Sequence, residues 1–409
     1  MNITLRLAWR NLWRHSRRTW LTLGAMAFSN ILLVFMISLQ FGMYGMMIDN
    51  TLRVMTGHLQ VQAEGYKDEH KMRQTVPDIA ELAASLRRDL ELERVAPRAL
   101  AFALASSSDR TYGLQIAGVD PARESLVSSI PGLVRTGNYL AAGDAAEIVI
   151  GSVLARNLRV GTGDEVTLLG SGLDGSFAAA VVTVSGIFET GVVELDRGLA
   201  EVPLGFFQDV FFMEGAGHQV VIAARDLDEA ALLTERTREL VADNPGLVVH
   251  DWDALQPGLR QAIKADMSSA FFMYGILVIL VAFSVLNTQL MSVLERTREF
   301  GIVMALGISP GRLGRLVLLE TALMGFMGFV GGAVLGALVT GWFAANGFSY
   351  PGMDELTANF NLPSRVYPPV AFLPTVIGPL VVYFFSMVSA LYPALRLNWL
   401  QPVEAMRAA

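Results

Sequence analysis

Four stretches of this chain stay apolar for long enough to cross a bilayer. They cover residues 20–47, 268–294, 316–343 and 370–395, each exceeding the roughly 20 residues a helix needs to traverse hydrocarbon. The first is too long for the apolar core of a cleaved signal peptide and leads to no small-residue cleavage site, so it is expected to remain as a span. Between the first and second stretches lies a long polar and apolar mixture; the other gaps are short.

The arginines orient these spans. Arg6, Arg10, Arg14, Arg17 and Arg18 precede the first with no acidic residue among them, Arg296, Arg298, Arg312 and Arg315 separate the second from the third, and Arg396 and Arg407 follow the fourth. The loop over 344–369 holds only Arg365, against Asp354 and Glu355. Positively charged flanks stay in the cytoplasm. The expected fold class is therefore a membrane α-helical protein with four transmembrane helices, N-in/C-in. A large α/β extracytoplasmic domain over 48–266 is expected between helices 1 and 2, with cytoplasmic segments at 295–312 and 396–409.

Residues 1–19 predict an interfacial amphipathic helix. Leu5, Leu7, Ala8, Leu12 and Trp13 supply apolar contacts while Arg6, Arg10, Arg14 and Arg17 recur at helical spacing. A flank that only sets topology explains the same arginines. Trp9, Trp13 and Trp20 suit a membrane interface in either case.

Within the outer segment, alternation predicts strands at 57–62, 113–119, 166–169, 179–188, 192–203, 218–223 and 247–251, and helical spacing predicts helices at 78–90 and 228–242. Residues 147–158 read as a strand running into a short helix. The glycine-punctuated strands over about 146–214 suggest a β-rich insertion between two halves of an α/β domain.

Composition fits this division. The 409 residues are 53% hydrophobic and 17% charged, with a mean hydropathy of +0.44, too apolar for a soluble protein and too charged to lie wholly in lipid. Residues 48–266 carry 19 Lys/Arg and 32 Asp/Glu, a net of −13 within a chain of net −7. So acidic a domain is a poor partner for nucleic acid, whose phosphates demand cations. With no cysteine, the domain cannot rely on disulfides.

Little in the chain suggests catalysis. The only lysines, Lys67, Lys71 and Lys264, do not follow glycine, so no Walker A loop is present. His15, His58, His70, His218 and His250 are scattered, without metal-ligand spacing. Glu320, near the inner end of span three, is a carboxylate in a costly place. Its expected partner is Arg315 or an arginine of the preceding loop, and an interfacial anchor that snorkels to water is the competing reading. Asn30, Gln40, Asn287 and Gln289 are placed to hydrogen-bond between spans. Gly328, Gly332 and Gly336 recur every fourth residue, a spacing that permits close helix packing, whether as a sliding seam or a static one. Pro374 and Pro379 are expected to distort span four.

The run from Glu295 to Ser309 carries the sharpest pattern. Arg296, Arg298 and Glu299 are followed by an apolar side formed by Phe300, Ile302, Val303, Ala305 and Leu306, with Gly307 as C-cap and Pro310 as stop. Such a helix docks in a groove on a soluble partner, or packs on the membrane as a connector. The run resembles, nearly residue for residue, the E-R-x-R-E-x-G-x-x-x-A-L-G-x-S loop of MacB/FtsX-type ABC permeases. Leu316 to Glu320 resembles the start of their third span. Tyr392-Pro-Ala-Leu-Arg396 with Gln401-Pro-Val-Glu-Ala-Met-Arg407 is similar to their C-terminal signature, with Gln401 where an acidic residue is usual. The segments at 56–61 and 151–164 resemble the outer domain of the lipoprotein-release (LolC/LolE-like) permeases.

The resemblance implies a type VII permease that binds no cofactor itself and is not an enzyme, with ATP and Mg held by a separate cytoplasmic ATPase dimer. It implies ATPase coupling for Glu295, Arg296, Arg298, Glu299, Phe300, Met304, Leu306, Gly307 and Ser309. A second permease, identical or paralogous, is the expected partner in the inner membrane, with a periplasmic lipoprotein carrier or adaptor as a further one. ATP-driven mechanotransmission would move a lipid-linked or amphipathic substrate, in particular a lipoprotein, at the outer face of the membrane. An efflux permease and an FtsX-like activator of a cell-wall hydrolase are the alternatives.

Overall fold

The computed structural model describes residues 3–14, 16–141, 143–349, 351 and 365–399. The signature at 401–407 and most of the loop over 344–369 lie outside the described residues. The chain forms two compact units: one of 1–44, 262–350 and 365–409, the other of 45–261 with 351–364.

Along the chain, α1 (Ile3–Arg14) and α2 (Ser16–Thr51) lead through a π-helical turn (Leu52–Thr56) into the outer domain. There follow β1 (Leu59–Ala63), α3 (Tyr66–Glu69), α4 (Ile79–Leu90), β2 (Val95–Ser106), β3 (Thr111–Val119), α5 (Pro121–Val127), a 3-10 turn (Ile130–Leu133), β4 (Val134–Gly137), β5 (Glu147–Gly151) and α6 (Ser152–Leu158). Next come β6 (Glu165–Ser171), β7 (Phe177–Phe188), α7 (Val193–Gly198), β8 (Leu199–Pro203), α8 (Leu204–Val210), β9 (Gln219–Ile222), α9 (Leu227–Val241), β10 (Leu247–Asp251) and α10 (Trp252–Leu255). Helices α11 (Pro257–Glu295), α12 (Thr297–Ala305), α13 (Pro310–Asn346) and α14 (Phe372–Arg396) follow.

Among the described residues four helical stretches, Ser16–Thr56, Pro257–Glu295, Pro310–Asn346 and Phe372–Trp399, are long and apolar enough to cross a membrane. They overrun the apolar stretches because backbone hydrogen bonding continues until a cap or proline stops it. The helix expected over 1–19 ends at Arg14, and residues 16–19 belong to the span helix. Thr19 Oγ1 donates to the Leu12 carbonyl at 2.6 Å, satisfying one orphan acceptor at the end of α1. Pro374 sits in the first turn of α14, where a missing N–H costs nothing; Pro379 and Pro393 lie inside that helix.

Among the described residues ten strands form one sheet in the order β10-β1-β9-β2-β3-β8-β5-β7-β4, with β6 pairing both β2 and β7. Strands β2, β3, β8, β5, β7 and β6 thereby close a six-stranded ring. Strands β5, β6, β7 and β8, which come from the glycine-punctuated stretch over about 146–214, complete this ring with β2 and β3. Along β2, Ala99, Ala101, Ala103 and Ala105 turn inward, and these small residues leave room for Phe207 of α8 and for Phe211, which follows that helix. Gly118 and Gly170 serve the same end, since a Cβ there would lie 2.6 Å from Phe207 and 2.8 Å from Phe211. The strand expected over 192–203 begins only at Leu199. Asp196 accepts from the Thr190 N–H at 2.8 Å and its hydroxyl at 2.7 Å, and this local pairing winds residues 193–198 into α7.

Candidate functional site

In the helical unit, the ends of α1, α2, α11, α12 and α13 converge on a cluster of charges. Helix α12 is a separate element because Arg296, at φ −102, interrupts the path from α11. It stops in a Schellman turn: Gly307 takes φ +92, its N–H bonds Met304 O at 3.0 Å, and the Ile308 N–H bonds Val303 O at 3.3 Å.

Its apolar side divides into two. Phe300 and Met304 turn inward against Val293, Leu313, Val317 and Leu397. The chain's own helices take both side chains out of water. Arg298, Ile302, Ala305, Leu306, Ile308 and Ser309 are exposed, Leu306 to 80%.

Two pairs of charges at matching four-residue intervals zip the N-terminus to this segment. Arg14 makes a bidentate pair with Glu299 at 2.7 and 3.2 Å. Arg18 bonds Glu295 and Ser292, both at 2.8 Å. Beneath them Glu320, 5% exposed, accepts from Asn11 Nδ2 at 2.7 Å and from Arg296 Nη1 at 3.2 Å. The Arg296 guanidinium also lies 4.9 Å over the Phe300 ring. Burial works to raise the Glu299 carboxyl, but hydrogen bonds and charge from Arg14 and Arg296 outweigh it and hold the group below the usual carboxylate range. Glu320 therefore pairs with Arg296 of the preceding loop rather than with Arg315. Sequence reasoning gave Arg14 and Arg18 roles in topology and in the interfacial helix, without partners, and passed over Asn11. The signal available was the equal spacing of Arg14/Arg18 and Glu295/Glu299.

Span three meets span one along the glycines. Gly328, Gly332 and Gly336 of α13 face Met26, Asn30 and Val34 of α2, and Asn30 Nδ2 donates to Gly328 O at 3.1 Å. At the other end of α2, Gln40 and Tyr44 bond Asp266 of α11 at 3.2 and 2.5 Å. Gln289 is buried, whereas Asn287 faces outward.

The outer unit holds an open cleft of about 810 Å³, lined by Phe102, Leu104, Leu169, Phe177 and Leu195 with Glu194 among them. Phe102 and Phe177 are 70% and 72% exposed. Elsewhere in this unit charges are buried: Arg98 pairs with Glu124, neither reached by solvent. Glu201 accepts from Tyr139 at 2.7 Å. Burial, then the charge of Glu124, pushes Glu201 up to about 8. His218 accepts from the Leu100 N–H and faces Met72 O; burial brings it down to about 4, so it is neutral. Among the described residues no three His, Asp or Glu side chains are grouped to hold a metal. Gly307-Ile-Ser309-Pro-Gly311 has the spacing of a nucleophile elbow, but it joins two helices rather than a strand to a helix.

Residues 271–402 match the FtsX-like permease C-terminal family and residues 19–240 the MacB-like periplasmic core domain. The lipoprotein-releasing system transmembrane protein LolC of Xylella fastidiosa is 30% identical over 73% of this chain and 74% of its own. LolC of Neisseria meningitidis is 26% identical over 75% of each. Among solved structures, the periplasmic region of MacB from Actinobacillus actinomycetemcomitans covers 51% of this chain and 94% of its own, at 13% identity and a TM-score of 0.37. The chain belongs to the MacB/FtsX family of ABC transporter permeases. It is a multi-pass inner-membrane protein with a large periplasmic domain.

Proposed function

We propose that this permease is driven by a separate cytoplasmic ATPase, which docks on the exposed strip of α12, and that it moves a lipid-linked cargo at the outer face of the membrane. The observation that carries the reading is the strip itself. Arg298, Ile302, Leu306 and Ile308 stand clear of the chain while Phe300 and Met304 anchor the helix beneath them. An amphipathic helix so seated is suited to enter a groove. On this reading both termini and α12 are cytoplasmic, and ATP and Mg belong to the partner chain. The ladder from Arg14 and Arg18 makes α1 and α12 move as one, and α2 and α11 carry that movement outward. A lipoprotein cargo is supported by the names of the LolC relatives and by the apolar cleft of the outer unit.

The test is purification from the native membrane with identification of stoichiometric companions by mass spectrometry. Wild type should bring down a P-loop ATPase, and I302D/L306D should lose it while remaining folded in detergent. An undiminished ATPase in that variant would refute docking through the strip. A wild type that retains none in several mild detergents would refute the motor-driven reading.

A further inference from the structure

The helix that begins at Ser16 reaches its end at Thr56, inside the outer unit. The last four carbonyls of a helix have no intrahelical donor and ordinarily fray into water. Here each is taken by a donor from the outer unit. Arg53 O accepts from the Ser129 N–H at 2.7 Å, and Val54 O from Ser128 Oγ at 2.7 Å. Met55 O accepts from Arg98 Nη1, and Thr56 O from Gln60 Nε2 at 2.6 Å. Gln256, the residue before α11, donates to Thr56 Oγ1 at 3.0 Å, so the outward ends of both span helices are tied at one residue.

Termination alone does not call for this. Gly57, at φ +71, already closes the helix by bonding Leu52 O at 2.8 Å. What Arg98 adds is stiffness. It is wholly buried on β2, which pairs with β3, β6 and β9, and its other nitrogens are held by both oxygens of buried Glu124 on α5. A displacement of Met55 is thus delivered into a strand that belongs to both the ring and the flanking sheet.

We propose that Arg98, fixed by Glu124, is the positioning residue through which movement of the span-one helix passes into the outer domain. The inference rests on the motor-driven reading above and names the joint that it requires. A capping contact of purely structural worth would stabilise the domain equally whether or not a motor acts on it. A joint must also change the domain when nucleotide is bound.

The test uses the full chain purified with its ATPase and follows hydrogen–deuterium exchange across residues 95–133, with and without ATP and vanadate. Removing one member of a buried pair strands the other charge, so R98M is combined with E124L; R98K, which keeps charge and donor, is the conservative variant. Wild type and R98K should show a nucleotide-dependent change. R98M/E124L should keep the basal ATPase rate and protease resistance but show a change at least fivefold smaller. If the double variant does not fold, R98Q/E124Q replaces the buried charged pair with neutral amides that can still hydrogen-bond each other, and the same loss is expected there. A folded variant that retains the full response overturns the joint alone. A wild type with no nucleotide response overturns the motor-driven reading and the joint with it.

Discussion

Replacing Gly332 with alanine tests the seam between spans one and three. The added Cβ would stand 2.3 Å from Asn30 Cβ and 3.1 Å from Asn30 Nδ2. Carbon atoms in contact settle near 3.5–4.0 Å, so α2 and α13 must part by somewhat more than about 1 Å locally. Overpacking of this kind costs about 1–3 kcal/mol. Parting the helices also stretches the Asn30–Gly328 hydrogen bond, worth about 0.5–1.5 kcal/mol. Against this, alanine returns up to about 1 kcal/mol of helix propensity. The net expectation is a loss of about 1–3 kcal/mol, read as a melting temperature several degrees lower in detergent-purified protein. At Gly331, one residue away, an added methyl group would meet nothing within 4 Å, so G331A gains the propensity without the clash. If G332A melts with G331A and wild type, the close approach of these helices is not what the glycines serve.

Three further outcomes follow from the charges. E320A should lower the same melting temperature more than E299A, because it leaves the largely buried Arg296 with only the more distant Glu299 carboxylate at 3.6 Å, whereas the exposed Arg14–Glu299 pair contributes about 0–1 kcal/mol; equal effects would refute the burial argument. R14E should weaken ATPase co-purification, and R14E/E299R, which restores opposite charges across the 2.7 Å contact, should recover it; no recovery would mean that Arg14 acts elsewhere. E201Q should flatten a pH dependence. Glu201 has its folded value raised to about 8 from an ordinary 4.5, so between these limits the folded state holds a proton that the unfolded state has lost, and wild-type stability falls as pH rises. The variant should match wild type near pH 5 and exceed it near pH 9, and parallel melting curves across that window would refute the assignment.

Much of this was legible because long apolar runs and the run at 295–309 are local patterns. The outer strands at 111–119 and 177–188 were legible for the same reason, since alternation survives wherever one face is buried. Strand β2 was not. Its Ala-rich run at 95–106 has weak intrinsic strand preference, and only the ring, assembled from strands far along the chain, gives those alanines an inner face. The direction of Phe300 was equally hidden. Helical periodicity identifies an apolar side but not whether the surface covering it belongs to the same chain. Arg98 and Glu124, 26 residues apart, have no periodic relation at all, and their pairing depends on how α5 lies against β2.

The ladder at the helix ends has a consequence for biosynthesis. Asn11, Arg14 and Arg18 find their partners 309, 285 and 277 residues later. At about 5–20 residues per second, the N-terminal helix therefore waits roughly 15–60 s after it emerges before those carboxylates have been translated. During that interval its arginines have only solvent and lipid headgroups to pair with. An ATPase that recognises the zipped α1–α12 surface would thus engage only chains whose second span and α12 are already made.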